Sequence, residues 1–218
     1  MNVDPIGLVI MLSALSLLPM LLICTTCFLK VSMVLMIVRN AIGVQQVPPS
    51  IALYSIALAI TIFVMAPTFT EIKEALPISS SRDFLQKPLT VDTLARAGEP
   101  LRRFMIKNTP IERRQHFLEI AKKQWGENYS KNVNDTDYMI LIPAFVISEI
   151  QVAFEVGFVL YVPFVVIDLL ISNLLLALGM QMVSPMVISL PLKILLFIIL
   201  NGWLKLFEGL VESYQRGV

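Results

Sequence analysis

The chain has 218 residues, 56% of them apolar and 15% charged, with a formal net charge of +1 at pH 7. Ordinary soluble domains carry about a quarter charged residues, so the composition points to a membrane unit, and the near-neutral balance gives no global attraction for nucleic acid. Charge is also segregated: 12 of the 17 basic and 10 of the 16 acidic residues fall between Glu71 and Asp137.

Ile6 to Leu29 is a run of 24 residues without a charge. As a helix it is about 36 Å long at about 1.5 Å per residue, enough for a hydrocarbon core of about 30 Å. Pro19 is expected to kink it rather than break it, because neighbouring helices satisfy a freed carbonyl. The start carries Asp4 and no basic residue, unlike a secretory signal, so the segment is expected to stay in the mature protein. Cys24 and Cys27 lie at i,i+3 with no His, Asp or Glu beside them, and read as packing residues on one helix face. Ile51 to Thr70 is a second uncharged run, of 20 residues. The link between the two runs holds Lys30, Arg39, Asn40, Gly43, Pro48 and Pro49, and its Pro/Gly turn predicts a membrane hairpin over residues 1–70. Two basic residues in a short link favour a cytoplasmic link, which puts the following segment in the periplasm.

Residues 71–137 read as a soluble, mostly helical insertion, punctuated by Pro77, Pro88, Pro100, Pro110 and a serine run at 79–81. Its charges read as a solvated surface. A helix from Thr90 is expected to break near Gly98 and Pro100. Thr109 to Glu112 has the layout of a capping box with proline at the first helical position. Ile111, Leu118, Ala121 and Trp125 follow at near-helical spacing, which predicts a helix to about Trp125. His116, the sole histidine, has no orienting partner nearby and is not expected to act as a base.

Asn134 to Asp137 is a helix-start cluster for residues 138–218. The apolar stretch from Tyr138 to about Ile167 contains Glu149 and Glu155; Leu169–Leu178 follows, and Ser184–Leu204 holds Lys193. A charge at the bilayer centre costs at least about 2.5–3.5 kcal/mol, so this half is expected to be covered by protein in an assembly. Glu149 and Glu155 are six residues apart, about 120° around a helix, and do not make a paired-carboxylate site. Pairing at subunit or internal contacts is the preferred reading, with a proton relay and solvated placement as alternatives. Asp168 either accepts from backbone amides or pairs with Lys193. No clustered nucleophile, base or ligand set is present in the sequence, so no enzyme, metal or cofactor is expected. The three intramembrane acids leave a small ion-coupled secondary transporter as the alternative function, but no internal repeat supports it.

Two runs are more specific than hydropathy. One spans 143–158 with Pro143, Phe145, Glu149, Phe154, Glu155, Gly157 and Phe158; the other spans 163–185 with Pro163, Phe164, Asp168, Gly179, Met180, Gln181, Met182 and Pro185. The tail with Pro191, Lys193, Asn201, Gly202 and Trp203, and the link with Arg39, Asn40, Gly43, Pro48 and Pro49, fit the same pattern. Together they resemble the FliP/SctR family (YscR, SpaP and HrcR among it), the P- or R-type subunit of flagellar and virulence export gates.

The resemblance implies an all-α membrane protein with two apolar helical hairpins flanking a periplasmic insertion. It implies assembly as a homopentameric helical ring in the bacterial inner membrane, forming the conduit for unfolded export substrates. Expected partners are further copies of the chain, Q/S-type and R/T-type sister subunits, a U/B-type switch protein, a V/A-type export gate and membrane lipid. Energy is expected from the proton gradient and a separate ATPase. Met180, Gln181 and Met182, bounded by Gly179 and Pro185, resemble the family's methionine-rich gasket loop, interrupted here by Gln181. The other reading is an ordinary hairpin loop in which methionine fills gaps. The short start before the first apolar run leans toward the virulence branch.

Overall fold

The computed structural model describes residues 13, 16, 17, 19–44, 47–76, 91–126 and 133–215. The beginning of the Ile6–Leu29 run, the proline- and serine-punctuated stretch after Leu76 and the helix start expected at Thr90 lie outside them. Among the described residues every regular element is helical. After a helical segment Pro19–Thr25 come α1 (Phe28–Ile42), α2 (Ser50–Ala75), α3 (Val91–Lys107), α4 (Ile111–Gln124), α5 (Tyr138–Ala177), α6 (Pro185–Ile199) and α7 (Gly202–Gln215). Contacts divide the chain into two compact units, residues 1–29 with 65–147 and residues 30–64 with 148–218.

In the first unit, α3 runs through Gly98 and Pro100 without the expected break. An interior proline costs a helix about 3 kcal/mol, which apolar burial offsets: Met105, Leu141 and Phe145 form a buried cluster with Phe104, Ile106 and Ile142 against it. The expected capping box does not form. Pro110 occupies the N-cap of α4 with no side-chain cap, and the Thr109 hydroxyl instead donates to the Met105 carbonyl at 2.8 Å. Asn108 Nδ2 donates to the Phe104 carbonyl at 2.8 Å, so both polar side chains serve the orphan carbonyls at the end of α3. The helix after Pro110 otherwise starts where the spacing placed it. The Asn134–Asp137 cluster starts α5: the Asn134 amide donates to Asp137 Oδ2 at 2.8 Å, and the Ile140 and Leu141 amides donate to the Asp137 carbonyl.

In the second unit α1 carries a buried stripe of Val31, Val34, Leu35, Val38 and Ala41. Lys30 therefore belongs to a helix, not to the link, which shrinks to residues 43–49. Arg39 and Asn40 lie in the same helix, so neither of the two basic residues stays in the link to set its orientation. The first apolar run is also not one helix. It breaks at Thr26–Cys27, where the Thr25 and Thr26 hydroxyls donate to the Leu21 and Leu22 carbonyls at 2.7 and 2.6 Å and compete with the helical ladder. Cys24 and Cys27 accordingly do not share a continuous helical face; neither forms a disulfide, and only Cys27 is fully buried.

Asp168 does not interrupt α5, which continues for 40 residues from Tyr138 to Ala177. The Ser184–Leu204 run, by contrast, is two helices, bent by 61° between α6 and α7, with Asn201 at φ 50° in the break. By length and composition α2 and α5 are apolar enough to cross a membrane, and up to four spans result if each bent helix pair is counted as one.

Candidate functional site

Three features of the second unit combine polar chemistry with burial or unusual exposure. The first gathers on α1, α5 and α7. Lys30 Nζ lies 3.7 Å from Glu149 Oε1 and 3.4 Å above the Tyr214 ring centre, and the Tyr214 hydroxyl donates to Glu149 Oε2. All three side chains are buried. A buried carboxylate is tolerable only when paired and hydrogen-bonded, and here both conditions hold. The ammonium over an aromatic face adds a cation–π contact.

The second lies at the other end of α1. Lys193 Nζ donates to Asp168 Oδ2 at 2.5 Å and to the Ala41 carbonyl at 3.2 Å. Ala41 is in the last turn of α1, where carbonyls lack helical partners and the dipole favours a cation. Gly43, at φ 90°, ends that helix, its amide donating to the Asn40 carbonyl at 3.1 Å. Arg39 Nη1 reaches Ser50 Oγ at 3.0 Å, and the Pro49 carbonyl accepts from the Ala52 amide at 2.9 Å to start α2.

The third is the loop between α5 and α6. Gly179, at φ 70°, donates to the Leu176 carbonyl at 3.1 Å, and the Met180 amide donates to the Leu175 carbonyl at 2.9 Å. That pair of bonds is a Schellman motif, which needs a left-handed residue such as glycine. Pro185 opens α6 in its first turn. Between these stops Met180 and Gln181 are exposed and Met182 is 99% exposed.

The remaining residues of the two signature runs divide between packing and surface. Pro143 is half-buried within α5, and Phe145, Gly157 and Phe164 are buried. A Cβ on Gly157 would stand 2.5 Å from Ile37 Cδ1, so this glycine marks a close approach of α5 to α1. Phe154, Glu155, Phe158 and Pro163 are exposed, and Glu155 accepts a bond from Gln151 Nε2 at 2.9 Å. Glu149 and Glu155 thus do face different ways. The partner of Glu149 was missed from the sequence because Lys30 was assigned to a loop; its i,i+4,i+8 register with Val34 and Val38 was the available signal. Among the described residues no three His, Cys, Asp or Glu side chains gather as a metal site.

The FliP family model matches residues 11–210. The chain belongs to the FliP family. It is 52% identical over 215 residues to the harpin secretion protein HrcR of Erwinia amylovora, covering 97% of each chain. To the Yop proteins translocation protein R of Yersinia pestis it is 42% identical over 212 residues, again 97% of each. To the flagellar biosynthetic protein FliP of Bacillus subtilis it is 37% identical over 211 residues, covering 96% of this chain and 91% of that one. This FliP-family chain is a component of a type III secretion or flagellar export apparatus, and its apolar helices accord with a membrane location.

Proposed function

We propose that the chain is the pore-forming subunit of a virulence-type protein-export apparatus in the bacterial inner membrane, several copies (five by family resemblance) surrounding the conduit for unfolded substrates. The carrying observation is the length and nakedness of α5. Forty residues make a helix of about 60 Å, twice a hydrocarbon core of about 30 Å. Yet apolar side chains stand exposed along it, from Ile147 through Phe154, Phe158 and Val166 to Leu170 and Leu174. Lipid covers only part of such a helix, and the surplus needs protein neighbours.

The neighbours are further copies and the Q/S-type and R/T-type sister subunits, with the U/B-type switch protein and V/A-type gate on the cytoplasmic side and the 71–137 insertion in the periplasm. The Met180–Gln181–Met182 loop supplies a compliant apolar seal around the conduit. A transporter reading finds less support, because Glu149 is buried against Lys30 and Asp168 is paired with Lys193. Extraction in mild detergent followed by electron microscopy and native mass measurement tests the proposal. A ring of several copies with its sister subunits is expected; a monodisperse monomer or small dimer without them rejects it.

A further inference from the structure

At the bend between α6 and α7 the second unit has an open cavity of about 310 Å³. Val156 and Leu160 of α5, Phe197 of α6 and Leu206 of α7 line it, and Lys205 is the charged residue in its wall. Gly209 also lines it, in a helix interior where glycine is weaker than alanine. A Cβ at Gly209 would meet nothing within 4 Å, so no contact among the described residues requires the glycine. Its effect is to leave the groove open to a group from outside.

The opposite side of α5 presents two exposed aromatic rings. At 100° per residue, Phe154 and Phe158 lie about 160° around the helix from Val156, on the face away from the groove. They are 58% and 70% exposed, and Glu155 beside them is exposed too.

Charge narrows the choice of occupant. Lys30 and Lys193 pair with Glu149 and Asp168 inside the chain. Among the described residues neither Lys205 nor Glu155 has an ion-pair partner. Outward-facing charges on apolar helices are costly until something compensates them. A lipid acyl chain would fill the cavity but leave Glu155 unpaired, whereas a second copy satisfies both charges at once.

We propose that Phe158 and Glu155 of one copy of this chain dock in the α6–α7 groove of the next, the ring in the cavity and the carboxylate on Lys205. Because knob and groove lie on opposite sides of one helix, the contact is head-to-tail, the kind that closes into a ring when its rotation permits. The inference rests on the ring reading above and names the surface that would build it.

The test uses the full-length chain in bacterial membranes, with two differently tagged copies and a benzoylphenylalanine photo-cross-linker at Phe158. Cross-links to residues 196–210 of the other copy are expected. Lys205→Glu and Glu155→Lys should each lower the oligomer fraction roughly tenfold, as for the loss of a desolvated charge pair, and the double exchange should restore it. Gly209→Trp, which fills the groove, should lower it as well. If the unmodified chain assembles and supports export while Phe158 cross-links to lipid or to another chain, or while the double exchange restores nothing, the docking is overturned and the ring reading stands. If the unmodified chain forms no oligomer, both fall.

Discussion

Lys30 Nζ and Glu149 Oε1 stand 3.7 Å apart, with side chains only 4% and 2% exposed. Together with Lys193, which bonds Asp168 and the Ala41 carbonyl, this pair ties both ends of α1 to α5. One lysine holds the start of α1 through a carboxylate and an aromatic ring of α7; the other, from α6, holds its last turn. Apolar helices slide past one another at little cost when no hydrophobic force separates registers, and one buried and one half-exposed ionic tie select one register.

Removing one member of the Lys30–Glu149 pair should be far worse than removing both. Lys30→Met leaves a buried carboxylate with only Tyr214, and the expected loss is about 3–5 kcal/mol. Lys30→Met with Glu149→Leu removes both charges and should recover most of that. Thermal unfolding in detergent of the two single variants and the double measures this. A loss in the double variant equal to the sum of the two single losses would mean that the pair carries no coupling.

The close approach of α5 to α1 makes a second expectation. Gly157→Ala places a methyl group 2.5 Å from Ile37 Cδ1 and 3.3 Å from Ile37 Cβ, and a β-branched side chain has little freedom to turn away. Overpacking of this size costs about 1–3 kcal/mol, against roughly 1 kcal/mol gained by alanine in a helix. Gly157→Ala should lower the melting temperature and Ile37→Ala in the same chain should restore it. A stabilised single variant would show that the helices part without cost.

Much of this was legible in the sequence because apolar runs and punctuating residues are local signals. The helix after Pro110 follows from spacing and the helix start at Asn134–Asp137 from its capping residues, while the all-helical class follows from the family resemblance. Three of the differences share a cause: a charge or proline is a local boundary signal that tertiary contacts override. Lys30 looked like the end of a span but has its carboxylate 119 positions further along the chain. Asp168 looked like an interruption but is met by Lys193 from α6. Pro100 looked like a breaker but lies in a helix whose apolar face is buried. The α6–α7 bend has the reverse origin: Asn201-Gly202 is a turn signal inside an apolar run, and the run as a whole reads as one helix.

Outside the apolar spans, Glu99 and Arg102 form a bidentate pair on α3, with bonds of 2.7 and 2.8 Å. The hydrogen bond from Arg102 holds the Glu99 carboxyl below its ordinary value. A depressed carboxylate contributes stability above its unfolded-state pKa and loses it as pH falls through the folded one. Both side chains are partly exposed, so the contribution is screened and stays below about 1 kcal/mol. Glu99→Gln should therefore cost little at neutral pH, and its gap from the parent should close on acidification. A gap that persisted in acid would assign the effect to packing rather than charge.

The loop at Met180–Met182 gives the prediction closest to function. Its backbone is fixed by the Gly179 turn on one side and Pro185 on the other, so the methionine side chains are presented by a set frame while each remains pliable. Met182 touches almost nothing in its own chain, which makes its apolar surface available to line a conduit. Unbranched thioethers fill irregular gaps and yield to a passing chain; alanine at both positions removes that apolar bulk. Met180→Ala with Met182→Ala should raise ion leakage across membranes of cells carrying the complete assembly, with ring formation intact. Leucine at the same two positions retains apolar bulk and should leak less than alanine. Permeability equal to the parent in the alanine variant, with the assembly present, would falsify the seal and return the loop to a simple connection between α5 and α6.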